Sequence, residues 1–335
     1  MRELSVFALA ATASLQELPL ESISNTGLRR PLDKGEWIDR SLLRAFKKEG
    51  TDAHRLCTVD DGWVERFGPD ILISYKNIPA HDRLVFELYV WGKSADFPVG
   101  RVFGRHLPRK NEEREAPRLM FGDEGKNLKT TATELFLKFG IDFTTGYSAG
   151  LFVDQRENRR LVREAGPKRL LNCFAYTCSF SVAAAAAGAH TVNIDLSKKY
   201  LSRGRENFAL NSLSTAEHRF ISDDVRPVLR RLARRGEKFD TIILDPPTFS
   251  RSPSGKTFRV DRDFEHVLLG ALEVADRDAR ILLATNSTTL HEHTLGVMAR
   301  FCLKEARRAG TLHRQSAPAD FPQGTAASTV WLSLR

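Results

Sequence analysis

Thr241-Ile242-Ile243-Leu244-Asp245-Pro246-Pro247-Thr248-Phe249 is the stretch on which the reading of this chain turns. Its first four residues form an apolar run without polar alternation, the pattern of a strand buried on both faces of a parallel sheet. Two prolines cannot continue a central strand, because they donate no ladder hydrogen bond. The strand therefore stops at Asp245, and a stiff turn with free carbonyl groups follows. In an open α/β sheet the carboxyl ends of the strands are where ligands bind. A carboxylate, rigid acceptors and the Phe249 ring at that edge suit a flat, hydrogen-bonding ring. Taken alone, the segment reads equally as a proline-rich turn that ends a strand.

Working outward, strand-like runs recur at 169–174, 190–195, 218–222, 239–244 and 280–285, with helical stretches between them. Phe180–Ala187 is alanine-rich, Ser197–Asn211 is charged and amphipathic, and Asp224–Arg235 is a third helix. Phe264, Val267, Leu268, Ala271, Leu272 and Ala275 repeat at helical spacing. A helix over 293–308 and strand-like runs at 312–315 and 329–334 complete the pattern. Strands alternating with helices predict a doubly wound α/β sheet. Upstream, 37–48 reads as helix and 55–58, 71–75 and 83–91 as strands of a small α+β module. Val99–Asn127, dense in charge and glycine, reads as a linker or extended arm. The expected division is an N-terminal extension (1–50), a small α+β domain with a basic arm (51–125) and the sheet domain (126–335).

The chain has 335 residues, 41% of them hydrophobic and 28% charged, which fits a soluble globular protein long enough for two domains. No apolar run reaches the length of a membrane span. The start, Met1–Ala13, slightly resembles a signal peptide, but its apolar stretch is short and Glu3 breaks the basic region; it reads as a native strand or terminus. Four cysteines without C-x-x-C pairing indicate a reducing compartment, so the cytoplasm is expected. Nine histidines show no ligand spacing beside the acids, so no metal is expected. A formal net charge of +9 favours a polyanionic partner, nucleic acid first, although an ordinary basic protein fits the charge too.

Successive strand ends carry a series of groups. The first ends in Asn172-Cys173-Phe174-Ala175-Tyr176-Thr177, small enough for close approach but lacking a G-x-G fingerprint. The second ends at Asp195, about 20 residues beyond that turn, where a carboxylate takes ribose hydroxyls; it reads equally as a helix cap. The third ends in Asp223-Asp224, either an acceptor for an exocyclic amine or the cap of the next helix. The fourth is Asp245-Pro246-Pro247. The first three suit an adenosyl group laid across the sheet edge, and the fourth suits a flat acceptor.

Asn172-Cys-Phe-Ala-Tyr-Thr177, Val192-Asn-Ile-Asp195-Leu-Ser197, Glu206-Asn-Phe-Ala-Leu-Asn211, Ser222-Asp-Asp224, Asp245-Pro-Pro-Thr-Phe249 and Gly150-Leu-Phe-Val-Asp154-Gln155-Arg156 together resemble class I S-adenosylmethionine-dependent methyltransferases. More narrowly, they are similar to the bacterial 23S rRNA base methyltransferases that make 5-methylcytosine or 7-methylguanine. The resemblance covers roughly 50–335 and is specific from 140 to 260. It implies a Rossmann-like, seven-stranded sheet whose last hairpin is antiparallel, S-adenosyl-L-methionine as cofactor, and 23S rRNA or a ribosomal precursor as partner. It implies that Phe174, Ala175, Tyr176 and Thr177 surround the methionine part of the cofactor. Asp195 would bind the ribose and Asp224 the adenine amine, Gln155 and Arg156 would close over the cofactor, and Asp245, Pro246 and Pro247 would face the base. The family's usual glycine is replaced here by Cys178, a small-residue exchange.

The bases differ in the chemistry they demand. Cytosine carbon 5 needs a thiolate that adds to carbon 6. In the 5-methylcytosine branch that cysteine follows strand five, where this chain has Asn286. A ring nitrogen needs no nucleophile from the protein, only alignment and exclusion of water. The expectation is therefore methylation of guanine N7, with an exocyclic amine next and 5-methylcytosine as an alternative. Asp245 and Asn286 would orient the base. Phe249 is either a stacking face or a core residue under the turn. Arg251 and Lys256 belong to a loop expected near phosphate, and Arg101, Arg105, Arg109, Lys110, Arg114 and Arg118 to an arm that orders on RNA. The face formed by Arg226, Arg230, Arg231, Arg234, Arg235 and Lys238 reads first as solvated surface. A protein or small-molecule methyltransferase, or an RNA-binding module without cofactor, uses the same fold features.

Overall fold

The computed structural model describes residues 36–92, 97–108, 113–125, 127–251, 255, 257–287 and 289–335. Arg109, Lys110, Lys256 and residues 252–254 lie outside the described residues, as does the extension up to residue 35. Contacts divide the chain into two units, 1–153 and 154–335.

In the first unit, β1 (Glu36–Trp37), α1 (Arg40–Lys48), β2 (Ala53–Val59), β3 (Gly62–Phe67), β4 (Asp70–Tyr75), α2 (Ile78–Gly92), β5 (Val102–His106) and β6 (Arg118–Phe121) build a sheet in the order β1-β2-β3-β4-β5-β6. The segment 83–91, expected as a strand, is α2. Asn77 caps it by accepting from the Ala80 amide at 2.9 Å. Pro79 sits in the first turn, where a missing N–H leaves nothing unpaired. Leu84, Val85 and Leu88 pack one helical face into a cluster with Val64, Ile71 and Ile73, and Ala80 and Tyr89 are buried as well. The expected linker 99–127 is likewise corrected, because β5 runs parallel to β4 inside the sheet. Arg101 chelates buried Asp70 (2.6 Å to Oδ2), and Arg105 is buried beside Ser74 and Glu65. Neither arginine belongs to an unfolded arm. The hairpin β7 (Lys129–Glu134) and β8 (Leu137–Asp142) packs in this unit too: Asp52 accepts from the Thr133 amide at 2.6 Å. By contacts this unit runs to Val153.

The second unit opens at Asp154, within a 3-10 turn (Val153–Gln155) that leads into α3 (Arg156–Ala165). It continues as β9 (Arg169–Cys173), α4 (Ser179–Ala185), β10 (His190–Asp195), α5 (Lys198–Leu210), β11 (Arg219–Ser222), α6 (Val225–Arg234) and β12 (Phe239–Leu244). The hairpin β13 (Phe249–Arg251) and β14 (Thr257–Arg259) leads into α7 (Val260–Val274), β15 (Ala275–Thr285), α8 (Glu292–Glu305), β16 (Gly310–Arg314) and β17 (Ser328–Leu334). The sheet order is β11-β10-β9-β12-β15-β17-β16; all pairs are parallel except those of β17 with β15 and β16. Strand alternation fills both faces. Leu171, Ile242, Leu244 and Ile281 meet α6, α7 and α8, while Leu170, Ile243 and Leu282 meet α3 and α4. Each fully buried aliphatic side chain of this kind contributes roughly 1.5–3 kcal/mol. The chain order reverses between β9 and β12, and that switch point fixes where a ligand can enter.

Candidate active site

The turn after β9 is bent by side-chain-bearing residues. Phe174, Tyr176 and Cys178 have φ of 60°, 49° and 61°, the left-handed region where a Cβ is strained. The surroundings hold them there. The Asp195 carboxylate, at the end of β10, accepts from the Tyr176 amide and the Ser197 amide, both at 2.8 Å. The Ala175 amide donates to the Ile194 carbonyl at 2.9 Å. Asn207 of α5, buried, donates to the Thr177 carbonyl at 2.9 Å. Burial pushes the Asp195 carboxyl above its ordinary range, and the two amides pull it back.

Cys178 stands where only glycine is comfortable, and its thiol turns away from the strand ends into α5. A Cβ on Gly204 would lie 2.5 Å from the Cys178 sulfur, so that glycine makes the notch. Burial drives the thiol well above the usual range. The cysteine therefore leaves the mouth of the turn to backbone.

Next to the turn lies a small cleft of about 20 Å³, lined by Phe174, Leu196, Val225 and Phe258 together with Asp223, Asp224, Arg226 and Ser250. Asp224 caps α6, accepting from the Arg226 amide at 2.9 Å, and pairs with the Arg226 guanidinium at 2.7 Å. Asp223 is half-exposed and takes Arg231 at 3.4 Å.

At the end of β12, Asp245 is half-buried, Pro246 buried and Pro247 exposed. Burial raises the Asp245 carboxyl to about 7; the charge of Asp154 adds to this and that of Arg159 opposes it. Since Leu244 pairs with Leu283, β15 runs past this point to Thr285, and Asn286 follows, exposed at the same edge. Phe249 is 57% exposed, which excludes the core reading. The expected loop 250–259 is instead a β-ribbon that places Phe249 opposite Arg259 and exposed Arg251 opposite Thr257. Its inner residue, Phe258, is buried against Phe174 at 5.3 Å.

Gln155 and Arg156 are both buried. Gln155 accepts from Asn158 at 2.8 Å, and Arg156 forms a fully buried ion pair with Asp320. These bonds tie the start of α3 to the connection between β16 and β17. The Ala327 amide on Asp154 (3.1 Å) and the Trp331 indole on Asn158 (2.9 Å) add to the tie. Sequence reasoning missed Arg159, whose charge reaches Asp245. Its only signal was position, one turn beyond Arg156 on the same helix.

All four cysteines are buried. Cys173 lies inside β9, Cys178 in the α5 notch, and Cys302 in α8, where its thiol is raised to about 12 and donates to the Glu265 carbonyl. Cys57 is in the first unit. None is a solvent-reachable thiol.

A parallel sheet that reverses between β9 and β12, closes with the antiparallel pair β17–β16, and carries acids at or just past the ends of β10, β11 and β12 has the class I methyltransferase architecture. The chain belongs to the S-adenosylmethionine-dependent methyltransferase family, whose model matches residues 100–334. It is 29% identical to ribosomal RNA large subunit methyltransferase I of Aeromonas salmonicida, over 84% of this chain and 73% of that protein. It is 33% identical to ribosomal RNA large subunit methyltransferase K/L of Shewanella sp. (strain ANA-3), over 74% of this chain but only 36% of that longer protein. The fold is that of SMU.776, a methyltransferase solved in complex with S-adenosylhomocysteine, with TM-score 0.73, 22% identity, and coverage of 88% of this chain and 79% of that one. Among the described residues no helix is long and apolar enough to cross a membrane.

Proposed function

We propose that this methyltransferase modifies a base of large-subunit rRNA, at a ring nitrogen, with guanine N7 the first choice and no covalent enzyme–base intermediate. The rRNA part rests on the relatives above. The chemical part rests on one observation: every cysteine is buried, and Asn286 stands just past the end of β15. A carbon target would need a thiolate at that edge.

When bound, S-adenosylmethionine supplies an electrophilic methyl carbon. Phe174–Thr177 would hold its methionine part, Asp195 its ribose, and the cleft beside Asp224 its adenine. Arg226 shares the Asp224 carboxylate, so an adenine amine there would compete with the guanidinium. Gln155 and Arg156 would act indirectly, by fixing the start of α3. Guanine N7 has a lone pair and no proton, so alignment and dehydration carry the rate. Pro246 and Pro247 would fix the carbonyl groups at the acceptor edge. Asp245 and Asn286 would set the base in plane, Phe249 would stack on an unstacked base, and Arg251 would meet phosphate. An exocyclic amine is the second reading, favoured by the Asp245 carboxylate as an acceptor for an N–H.

The test is transfer of labelled methyl to bare rRNA and to assembled subunits, followed by mapping of the modified base. A nitrogen mark is expected. Loss of 5-methylcytosine from the rRNA of a deletion strain, with nitrogen marks intact, would refute the proposal. RNA binding that weakens steeply with salt separates this reading from a protein or small-molecule methyltransferase.

A further inference from the structure

We propose that the groove between α6 and α7, with the arginine stripe beside it, is a docking surface for a single-stranded segment of the substrate RNA. Phosphates meet Arg230, Arg234 and Arg235, and a base lies in the groove. Several surface arginines of the second unit are matched by acids: Arg219 pairs with Glu237 at 2.6 Å, Arg259 with Asp261 at 2.7 Å and Arg262 with Asp263 at 3.1 Å. On α6 itself Arg226 takes Asp224 and Arg231 takes Asp223. Arg230, Arg234 and Arg235 are exposed and form no ion pair among the described residues. The helix dipole accounts for cations in the last turn, where Arg231 and Arg234 stand, but not for Arg230 in the middle of the helix. Arg230 and Arg234 share one face, about 6 Å apart along the axis, a spacing that successive phosphates of an extended strand can meet.

The groove, of about 440 Å³, is lined by Arg226, Leu229 and Arg230 of α6 and by Asp263, His266, Leu269, Gly270 and Glu273 of α7. Gly270 keeps its floor low: a Cβ there would lie 3.3 Å from the Leu229 Cδ1. Asp263 is committed to Arg262 and to the Arg259 amide, the latter at 2.7 Å. A nucleobase has apolar faces and polar edges. Leu229, Leu269 and Gly270 suit a face, and the exposed His266 ring can stack on it. Arg230 can donate to ring and carbonyl acceptors, and Glu273 can accept from an amine. Arg226 lines both this groove and the cleft beside Phe174, so the surface is continuous with the candidate site. The inference rests on rRNA being the substrate.

Binding of a labelled single-stranded oligouridylate across a salt series tests it. The triple variant Arg230→Gln, Arg234→Gln, Arg235→Gln should reduce the slope of log affinity against log salt by roughly 2, the share of three phosphates on a single strand. It should also raise the KM for large-subunit rRNA by roughly tenfold, while S-adenosylhomocysteine binds as to the parent. Arg230→Gln alone should reduce the slope by roughly 0.7, and it carries the test where the triple variant does not fold. Leu269→Glu, which sets a carboxylate in the groove, should weaken the oligonucleotide as well. The charge-matched triple on and just after α8, Arg300→Gln, Lys304→Gln, Arg307→Gln, should leave the slope unchanged. An unchanged slope and KM in the α6 variant, or an equal loss from the α8 variant, overturns the assignment. A parent protein that neither binds nor methylates rRNA refutes the rRNA reading and this surface with it, whereas a parent that methylates rRNA beside an unaffected α6 variant refutes the surface alone.

Discussion

Cys178 and Gly204 form a fitted pair: the thiol fills a notch that exists because α5 has no side chain at that point. Gly204→Ala should cost about 1–3 kcal/mol through overpacking. Adding Cys178→Gly should recover most of it, and denaturant midpoints of the two single variants and the double variant measure the coupling. Asp245 gives a second prediction. Its folded carboxyl titrates near 7, against 3.8 for the free group. The folded chain binds this proton more tightly, so the contribution to stability is full below about 4 and is lost as pH rises toward about 7. Asp245→Asn keeps the shape without the titration. Its stability advantage over the parent should grow between pH 4 and 7.5 in urea titrations; a constant difference would contradict the assignment.

The ribbon β13–β14 divides its work between two faces. Phe258 points inward and Phe249 outward, so their removal should have opposite signatures. Phe258→Ala should cost about 3–5 kcal/mol of stability. Phe249→Ala should change stability by no more than about 0.5 kcal/mol, yet raise the KM for rRNA while leaving cofactor affinity unchanged. Unequal visibility in the sequence has physical causes at this scale. The sheet of the second unit was legible because runs such as Ile242–Leu244 are buried on both sides and end in prolines or acids. Helix α2 was not, because Val85, Phe86, Tyr89, Val90 and Trp91 favour strands, and only the Asn77 cap and Pro79 spoke for a helix. Strand β5 hid because Arg105 looks like surface, whereas neighbouring charges let it be buried. Arg159 hid for the same reason: a helical arginine reads as solvated until its partners are known. The sequence could name Asp245 but not the cation whose charge reaches it.

At the scale of the molecule, the second unit is closed by pairs distant in sequence. Arg156–Asp320 joins residues 164 apart, and both side chains are fully buried. Asp320→Ala should therefore cost about 3–5 kcal/mol, because, of the Asp320 and Glu157 carboxylates, a guanidinium held away from water then keeps only the more distant Glu157, whereas Arg156→Met with Asp320→Leu should restore most of the loss. Thermal melting of the single and the double variant checks this. The switch point has a kinetic consequence as well. Its two strands meet through pairs such as Leu171 with Ile242, and between them the chain must form β10, β11 and three helices. Closing so long a loop is slow compared with forming local helices and hairpins. The place that receives the ligand is therefore among the last parts of the unit to exist during folding. A chain caught partway would be rich in secondary structure and blind to its cofactor.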